Sequence, residues 1–282
     1  MIRVLITGAG SYIGSHIAAH FSQYSDRFDV CELDVQEGLP QQAFSGFDTV
    51  IHVAGIAHQK ETPENKAMYF DVNQHLAVQT AAKAKADGVK QFIFFSSMSV
   101  YGMTTGRITA ATEPSPNTFY GQSKWAAEQE MKELEDESFC IATLRPPMIY
   151  GKGCRGNYPR LSALARKLPV FPAVSNNRSM LYIGTLCRFM EKLVESRQGG
   201  LYFPQNRDYV NTTEMVRLIA ECHSRKLCCI PGFAWLFKLL ESRVGVIGKV
   251  FGTLTYDHAM STAFTDENEP SFEQTIRLTE VD

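Results

Sequence analysis

Short apolar runs recur through the first half of the chain, separated by longer mixed stretches. Runs at Ile2–Thr7, Phe28–Leu33, Thr49–Val53, Gln91–Ser96 and Phe139–Leu144 are rich in β-forming residues and read as strands. Most are nearly continuous rather than alternating, which is the pattern of strands covered on both faces. Between them, Ala67–Ala86 is an Ala/Val/Lys-rich stretch of helical character that should stop at Gly88, a residue suited to a helix C-terminus. Phe119–Leu134 sets Trp125, Ala126, Ala127 and Met131 among acids and lysines and reads as another helix. Strand and helix in alternation predict an α/β domain with a doubly wound parallel sheet, Rossmann-type in organisation, over residues 1–144.

After Leu144-Arg145-Pro146-Pro147 the rhythm changes. Gly- and Pro-rich loops (Gly151–Pro159, Pro169–Pro172) precede strands predicted at Met180–Ile183 and Leu201–Phe203. A helix is expected from about Thr212 to His223, with Asn211 and Glu214 at capping-box spacing. Residues 145–282 are therefore expected to form a smaller substrate-binding region. Trp235–Gly252 is apolar but interrupted by Lys238, Glu241, Arg243 and Lys249, the pattern of a buried or dimer-facing helix, with a membrane-surface helix as the alternative.

Composition narrows the classes. The chain has 282 residues and a net charge of −2, so nothing in its charge favours nucleic acid or an anionic membrane. Met1-Ile2-Arg3-Val4-Leu5-Ile6 reads directly as a strand rather than an export signal, and no run approaches the roughly 18 apolar residues of a membrane span. The seven cysteines lack C-x-x-C spacing; reduced thiols and a cytoplasmic location are expected.

Candidate chemistry lies where the predicted strands end. The first strand runs into Thr7-Gly8-Ala9-Gly10-Ser11-Tyr12-Ile13-Gly14, after which a helix begins. Glycines there permit a tight turn and close approach to a pyrophosphate, and the helix N-terminus adds free N–H groups and partial positive charge. Asp34 ends the second strand, twenty residues beyond Gly14 and with no basic residue following. A carboxylate there suits the ribose hydroxyls of NAD better than the 2′-phosphate of NADP; Glu32 is the second choice. Ser96-Ser97-Met98-Ser99-Val100-Tyr101-Gly102 follows the fourth strand, where open α/β sheets bind ligands. Tyr120 and Lys124 are four residues apart, on one face of the helix predicted there. An ammonium beside the phenol, with the positive nicotinamide ring, should lower the Tyr120 pKa toward working pH.

Taken together, Thr7–Gly14, Ser96–Gly102, Tyr120–Lys124 and Arg145–Gly151 resemble the extended short-chain dehydrogenase/reductases, specifically the NAD-dependent epimerase/dehydratase group that includes UDP-glucose 4-epimerase. The resemblance implies a catalytic triad of Ser97, Tyr120 and Lys124. It implies that Gly8, Gly10, Ser11, Tyr12, Ile13, Gly14, Asp34, Val53, Ala54, Gly55, Asn73, Tyr120 and Lys124 hold NAD. Asn73 would also help to fix the lysine. It further implies a UDP-sugar substrate lined by Ser97, Ser99, Met148, Asn157 and Arg178. A homodimer formed through the helices at Ala67–Ala86 and Phe119–Leu134 is expected, since both carry apolar residues beyond one stripe.

Departures from the family pattern refine the activity. Ser11 takes the middle glycine place, with Gly10 before it. Met98-Ser99 stands where 4,6-dehydratases carry Asp-Glu, which argues against water elimination. Met148 replaces an Asn usual in epimerases, and Thr185 a common Asp. The activity implied is C4 epimerisation of a UDP-hexose. A UDP-4-keto-sugar reductase of surface-polysaccharide synthesis is the alternative, and a non-catalytic dinucleotide sensor or scaffold is a further one. His58 and Cys154 lie in loops near the site, where bystander roles are the simpler reading. Lys83, Lys85 and Lys90 read as a solvated face, and the histidines show no metal-ligand spacing.

Overall fold

A computed structural model of the chain describes residues 1–36, 38–39, 44–57, 59–232 and 251–281. His58 and nearly all of Trp235–Gly252 lie outside the described residues.

Six strands form one parallel sheet. They are β1 (Ile2–Thr7), β2 (Phe28–Leu33), β3 (Thr49–His52), β4 (Gln91–Phe95), β6 (Cys140–Leu144) and β10 (Gly200–Tyr202), in the order β10-β6-β4-β3-β1-β2. Alternate residues of each strand enter different cores, as the pleat requires. Val4, Ile6, Ile51 and Ile93 pack with α1 (Tyr12–Phe21) and α6 (Ile183–Ser196). Leu5, Val50, Phe92 and Phe94 face the other way, against α3 (Leu76–Ala86) and α4 (Phe119–Met131). Ala77, Ala81 and Ala84 are fully buried, and their small side chains let α3 lie close to the sheet. Both faces are covered, which explains the nearly continuous apolar runs.

The expected helix at 67–86 is a rod of three pieces: α2 (Lys66–Phe70), a π-helical turn at Asp71–His75, and α3. It ends as expected, with Gly88 in the left-handed region (φ 84°) and its N–H donated to Lys85 O. The third strand stops one residue early because Val53 N and Ala54 N both turn to donate to Thr7 O. β2 forms the sheet edge, and β3 lies on the other side of β1 from it.

The second half adds short parallel pairs. β7 (Met148–Tyr150) pairs with β9 (Met180–Tyr182), and β8 (Val170–Pro172) pairs with β11 (Cys228–Ile230). β12 (Leu254–Tyr256) pairs with β5 (Gly106–Ile108). A separate core joins α5 (Asn157–Lys167) and α7 (Thr212–Cys222) to α8 (Phe272–Glu280), around Tyr158, Leu161, Val216, Ile219 and Ile276. At the start of α7, Asn211 caps Glu214 N as its spacing suggests. α6 and β10 return from this half of the sequence to the main sheet. Among the described residues, no helix is long and apolar enough to cross a membrane.

Candidate active site

Strand order reverses direction between β1 and β3, and the loops leaving these two strands meet there. Gly8 has φ 106°, and a Cβ on it would lie 2.8 Å from Ala54 N. Gly14 lies so close to Ser11 Oγ (2.7 Å from a Cβ built on it) that only glycine fits without a shift. Gly10 (φ 71°) has nothing within 4 Å of its missing Cβ, leaving its side of the turn open. Ser11 caps α1 by accepting from Gly14 N at 3.1 Å. Tyr12 and Ile13, as the first helical residues, have amides without an intrahelical acceptor. Their side chains instead pack on the core. A tight turn open on one side, set at a helix N-terminus, fits the diphosphate of a dinucleotide.

Gly8 N and Ala9 N both donate to Leu33 O, which brings the residue after β2 beside the turn. That residue is Asp34, exposed, with Oδ1 accepting from Gln36 N at 2.9 Å. Its other oxygen has no hydrogen-bond partner among the described residues. Glu32, also exposed, sits within β2 opposite Ile6.

Across the turn, Gly55 lets two side chains approach the main chain. A Cβ there would stand 2.9 Å from Asn73 Oδ1 and 3.3 Å from Lys124 Nζ. Asn73 is fully buried in the π turn, a local widening often found at functional positions. Its Oδ1 accepts from Ile56 N at 2.9 Å, and its Nδ2 donates to Ile56 O and to Ser123 Oγ. Ser123 Oγ donates in turn to Tyr120 O at 3.0 Å. The asparagine thus joins the β3 loop to the helix that carries Tyr120 and Lys124.

Ser97 and Ser99 are hydrogen-bonded to each other beside the Tyr120 phenol. Ser97 caps the 3-10 turn Met98–Tyr101 by accepting from Ser99 N; its hydroxyl also donates to Ser99 Oγ at 3.2 Å and faces the Tyr120 phenol. The approach depends on Gly121, where a Cβ would come within 2.6 Å of Ser99 O. Lys124 is only 4% exposed, with Nζ 4.7 Å from the centre of the Phe94 ring.

Electrostatics here differ from the sequence expectation. Burial raises the Tyr120 pKa above its ordinary value, and the nearby Ser97 hydroxyl offsets this only in part. Burial lowers Lys124 to about 7, while Glu128, one turn along, acts in the opposite direction. Desolvation therefore favours the neutral form of both groups, and in the protein by itself it outweighs the help that Lys124 was expected to give the phenol. His52, buried beneath, is pushed down to about 3 by burial and by Lys124, so it is neutral; its Nδ1 lies 2.8 Å from Thr7 Oγ1.

The remaining candidates lie in the second half. Met148 opens β7 in register with Met180 of β9, two residues beyond Arg178. The Arg178 guanidinium donates to Gly252 O at 2.7 Å, and burial lowers its pKa to about 10. Asn157 is the first residue of α5 and half-buried. Met148 thus lies in the β7–β9 pair, Arg178 bridges Val210 and Leu254 just before β9, and Asn157 stands on a separate element. Cys154 is buried, and burial raises its thiol pKa.

Residues 4–219 match the NAD dependent epimerase/dehydratase family. The chain belongs to this family. Family membership makes it an enzyme that uses NAD, and the turn at Gly8–Gly14 together with Asp34 has the shape and charge to hold that cofactor. An N-acetyl-α-D-glucosaminyl-diphospho-ditrans,octacis-undecaprenol 4-epimerase of Escherichia coli O157:H7 is 27% identical over 248 residues, covering 80% of this chain and 73% of that protein. A UDP-glucose 4-epimerase of Vibrio cholerae is 26% identical over 285 residues, covering 90% and 87%. A solved dTDP-4-dehydrorhamnose reductase from Clostridium acetobutylicum has the same fold, with a TM-score of 0.77 at 16% identity over 99% of this chain and 98% of that one. Epimerases and 4-keto reductases thus both stand near this chain, and the fold does not choose between them.

Ser123, inside the Tyr120–Lys124 motif, has no sequence signal that separates it from an ordinary helical serine. The same holds for Gly121, whose role depends on Ser99 lying against it, and for the buried Arg145–Glu128 pair. Arg145 Nη2 donates to Glu128 Oε2 at 2.6 Å and Nη1 to Tyr101 OH at 2.8 Å, and Glu128 accepts from Ser96 Oγ. This cluster ties the residue before Ser97 to the helix of Tyr120.

Proposed function

We propose that the enzyme epimerises C4 of a UDP-hexose. The observation that carries this reading is Ser97, hydrogen-bonded to Ser99 at the end of β4 and facing the Tyr120 phenol, with Lys124 one turn along the helix of Tyr120. Bound cofactor supplies reversible removal of hydride from C4. Tyr120 takes the proton from the C4 hydroxyl and later returns it, Ser97 hydrogen-bonds that oxygen, and Lys124 orients the ribose and opposes negative charge on the phenol. Asp34 selects NAD over NADP through the ribose hydroxyls, which supports retention of one cofactor through a redox-neutral cycle. Arg178 and Asn157 serve the diphosphate of the substrate, and Met148 and Ser99 contact the sugar. Residues 1–144 form the cofactor domain and 145–282 the substrate region, with α6 and β10 contributing to the first sheet. The working form is a homodimer paired through the rod at 66–86 and α4.

Met148 favours a second reading, reduction of a UDP-4-keto sugar, because an apolar side chain cannot hold a sugar hydroxyl as an asparagine would. The test is incubation with UDP-glucose, UDP-GlcNAc, their C4 epimers and a polyprenyl-diphosphate-linked GlcNAc, without added cofactor. Interconversion of a C4 pair supports the epimerase. No interconversion, with NADH oxidised only when a 4-keto-6-deoxy sugar is supplied, replaces it with the reductase.

A further inference from the structure

The first turn of α4, which carries Tyr120, has an acceptor for every amide. Gln122 N donates to Thr118 O at 2.9 Å, the first bond of the helix ladder. Gly121 N donates to the Thr118 hydroxyl at 3.1 Å. The two amides that remain, those of Phe119 and Tyr120, donate to the two carboxylate oxygens of a single residue, Glu61, at 2.9 and 3.0 Å. Charge-assisted bonds of this kind are stronger than neutral ones, and an anion is favoured at the positive end of a helix.

Glu61 comes from outside the helix. It belongs to the segment that leaves β3 and begins with Val53-Ala54-Gly55, opposite the glycine turn. The segment is pinned on both sides of Glu61. Asn73 bonds Ile56 N and O, Tyr69 OH donates to Gln59 O at 3.2 Å, and Thr62 N donates to Asn65 Oδ1 at 2.9 Å. Glu61 is therefore a fixed post rather than a mobile surface acid. Tyr120 is held through its main-chain N–H by Glu61, and its phenol faces Ser97 at the end of β4.

We propose that Glu61 is a positioning residue for Tyr120, transmitting the placement of the β3 loop to the phenol through the main chain of the catalytic helix. The proposal rests on the reading of Tyr120 as the acid–base group. The ionisable and hydroxyl groups grouped around Tyr120 are Ser97 and Ser99 after β4, Tyr69 of α2, Lys124 on its own helix, and Glu61. Without the carboxylate, the amides of Phe119 and Tyr120 lose their acceptors and the first turn of α4 can shift. A displacement near 1 Å at a reacting group costs up to about 10²-fold in rate. Loss of the anion also leaves the positive helix end uncompensated, which eases ionisation of the phenol.

The test uses the full-length, NAD-loaded enzyme with Glu61→Gln and Glu61→Asp, each also combined with Tyr120→Phe. Kinetics are measured on whichever sugar turns over in the C4 assay. Tyr120 ionisation is read as the tyrosinate absorbance that Tyr120→Phe removes, a readout that needs no substrate. For Glu61→Gln, kcat should fall at least about 10-fold, with the sugar KM and the NAD Kd within about 3-fold of wild type. Its Tyr120 ionisation should move to lower pH, because an anion near the phenol is lost. Glu61→Asp keeps the charge but is one methylene shorter, so its kcat should fall while the ionisation stays at the wild-type position. The proposal is overturned if Glu61→Gln lowers thermal stability alone and leaves kcat and the titration as in wild type. Should that variant not fold, wild-type kcat in Glu61→Asp overturns it equally. Normal turnover by Tyr120→Phe is a different result, because it removes the acid–base reading itself.

Discussion

Replacing Gly8 by alanine tests the geometry of the cofactor turn directly. Gly8 has φ 106°, outside the regions that other residues occupy easily, and the added Cβ would lie 2.8 Å from Ala54 N and 3.0 Å from Ala54 Cα. Ala54 cannot easily retreat, because its N–H and that of Val53 are both bonded to Thr7 O at 3.0 and 3.1 Å. The dihedral alone costs about 1–3 kcal/mol, before any contribution from the contact. A loss of about 2 kcal/mol in the folded protein corresponds to several degrees in Tm for a chain of this size. If the strain is relieved by moving the turn, NAD affinity falls by about 30-fold for the same energy. Gly10→Ala is the matched control. At φ 71° with nothing within 4 Å, it pays only the left-handed penalty of about 1–2 kcal/mol and meets no protein atom. Its Tm should move less than that of Gly8→Ala, while its Cβ enters the open side of the turn and weakens NAD by about 10-fold or more. Thermal unfolding of the nucleotide-free variants and calorimetric titration with NAD give all four numbers. Wild-type Tm and NAD affinity in Gly8→Ala, or a larger Tm loss in Gly10→Ala, would refute the geometry.

Other consequences can be checked in the same preparations. NADH should bind more tightly than NADPH, with Asp34→Ala narrowing the ratio; tighter NADPH binding by the wild type would remove Asp34 from the ribose site. Tyr120→Phe should fold and bind NAD but turn over at least about 10²-fold more slowly, as single-turnover kinetics would show. Lys124 has a folded pKa of about 7 against 10.5 ordinarily, so its burial penalty is full below about pH 7 and fades as pH rises toward 10.5. Lys124→Met should flatten the rise in Tm over that interval; an unchanged slope would contradict the burial of a charge there. Glu128→Ala strands the buried Arg145 guanidinium and should cost about 3–5 kcal/mol in urea unfolding. Light scattering at micromolar protein should give twice the chain mass of 31.6 kDa, and a monomer mass would rule out the dimer.

What the sequence by itself determined follows from its local rules. Strand periodicity located β1 and β2 to the residue, because apolar runs bounded by turn residues leave little freedom in where a strand begins and ends. The glycine turn before α1 and the helix that carries Tyr120 and Lys124 were readable because each is a short segment whose spacing carries its own geometric meaning. Tertiary structure decided what depends on elements distant in sequence. Glu61 is nearly 60 residues from the amides it holds, and no local pattern marks it. The π turn at Asp71–His75 lies within an ordinary helical sequence, yet it presents Asn73 to both Ile56 and Ser123. The return of α6 and β10 to the first sheet could not be seen in a change of composition at residue 145, since pairing of β10 with β6 joins strands 56 residues apart at their closest. The pKa of Lys124 likewise came from its surroundings. Spacing placed it one turn from Tyr120, but only packing over Phe94 and against the β3 loop determined how much solvent it lost, and burial sets the direction of its shift.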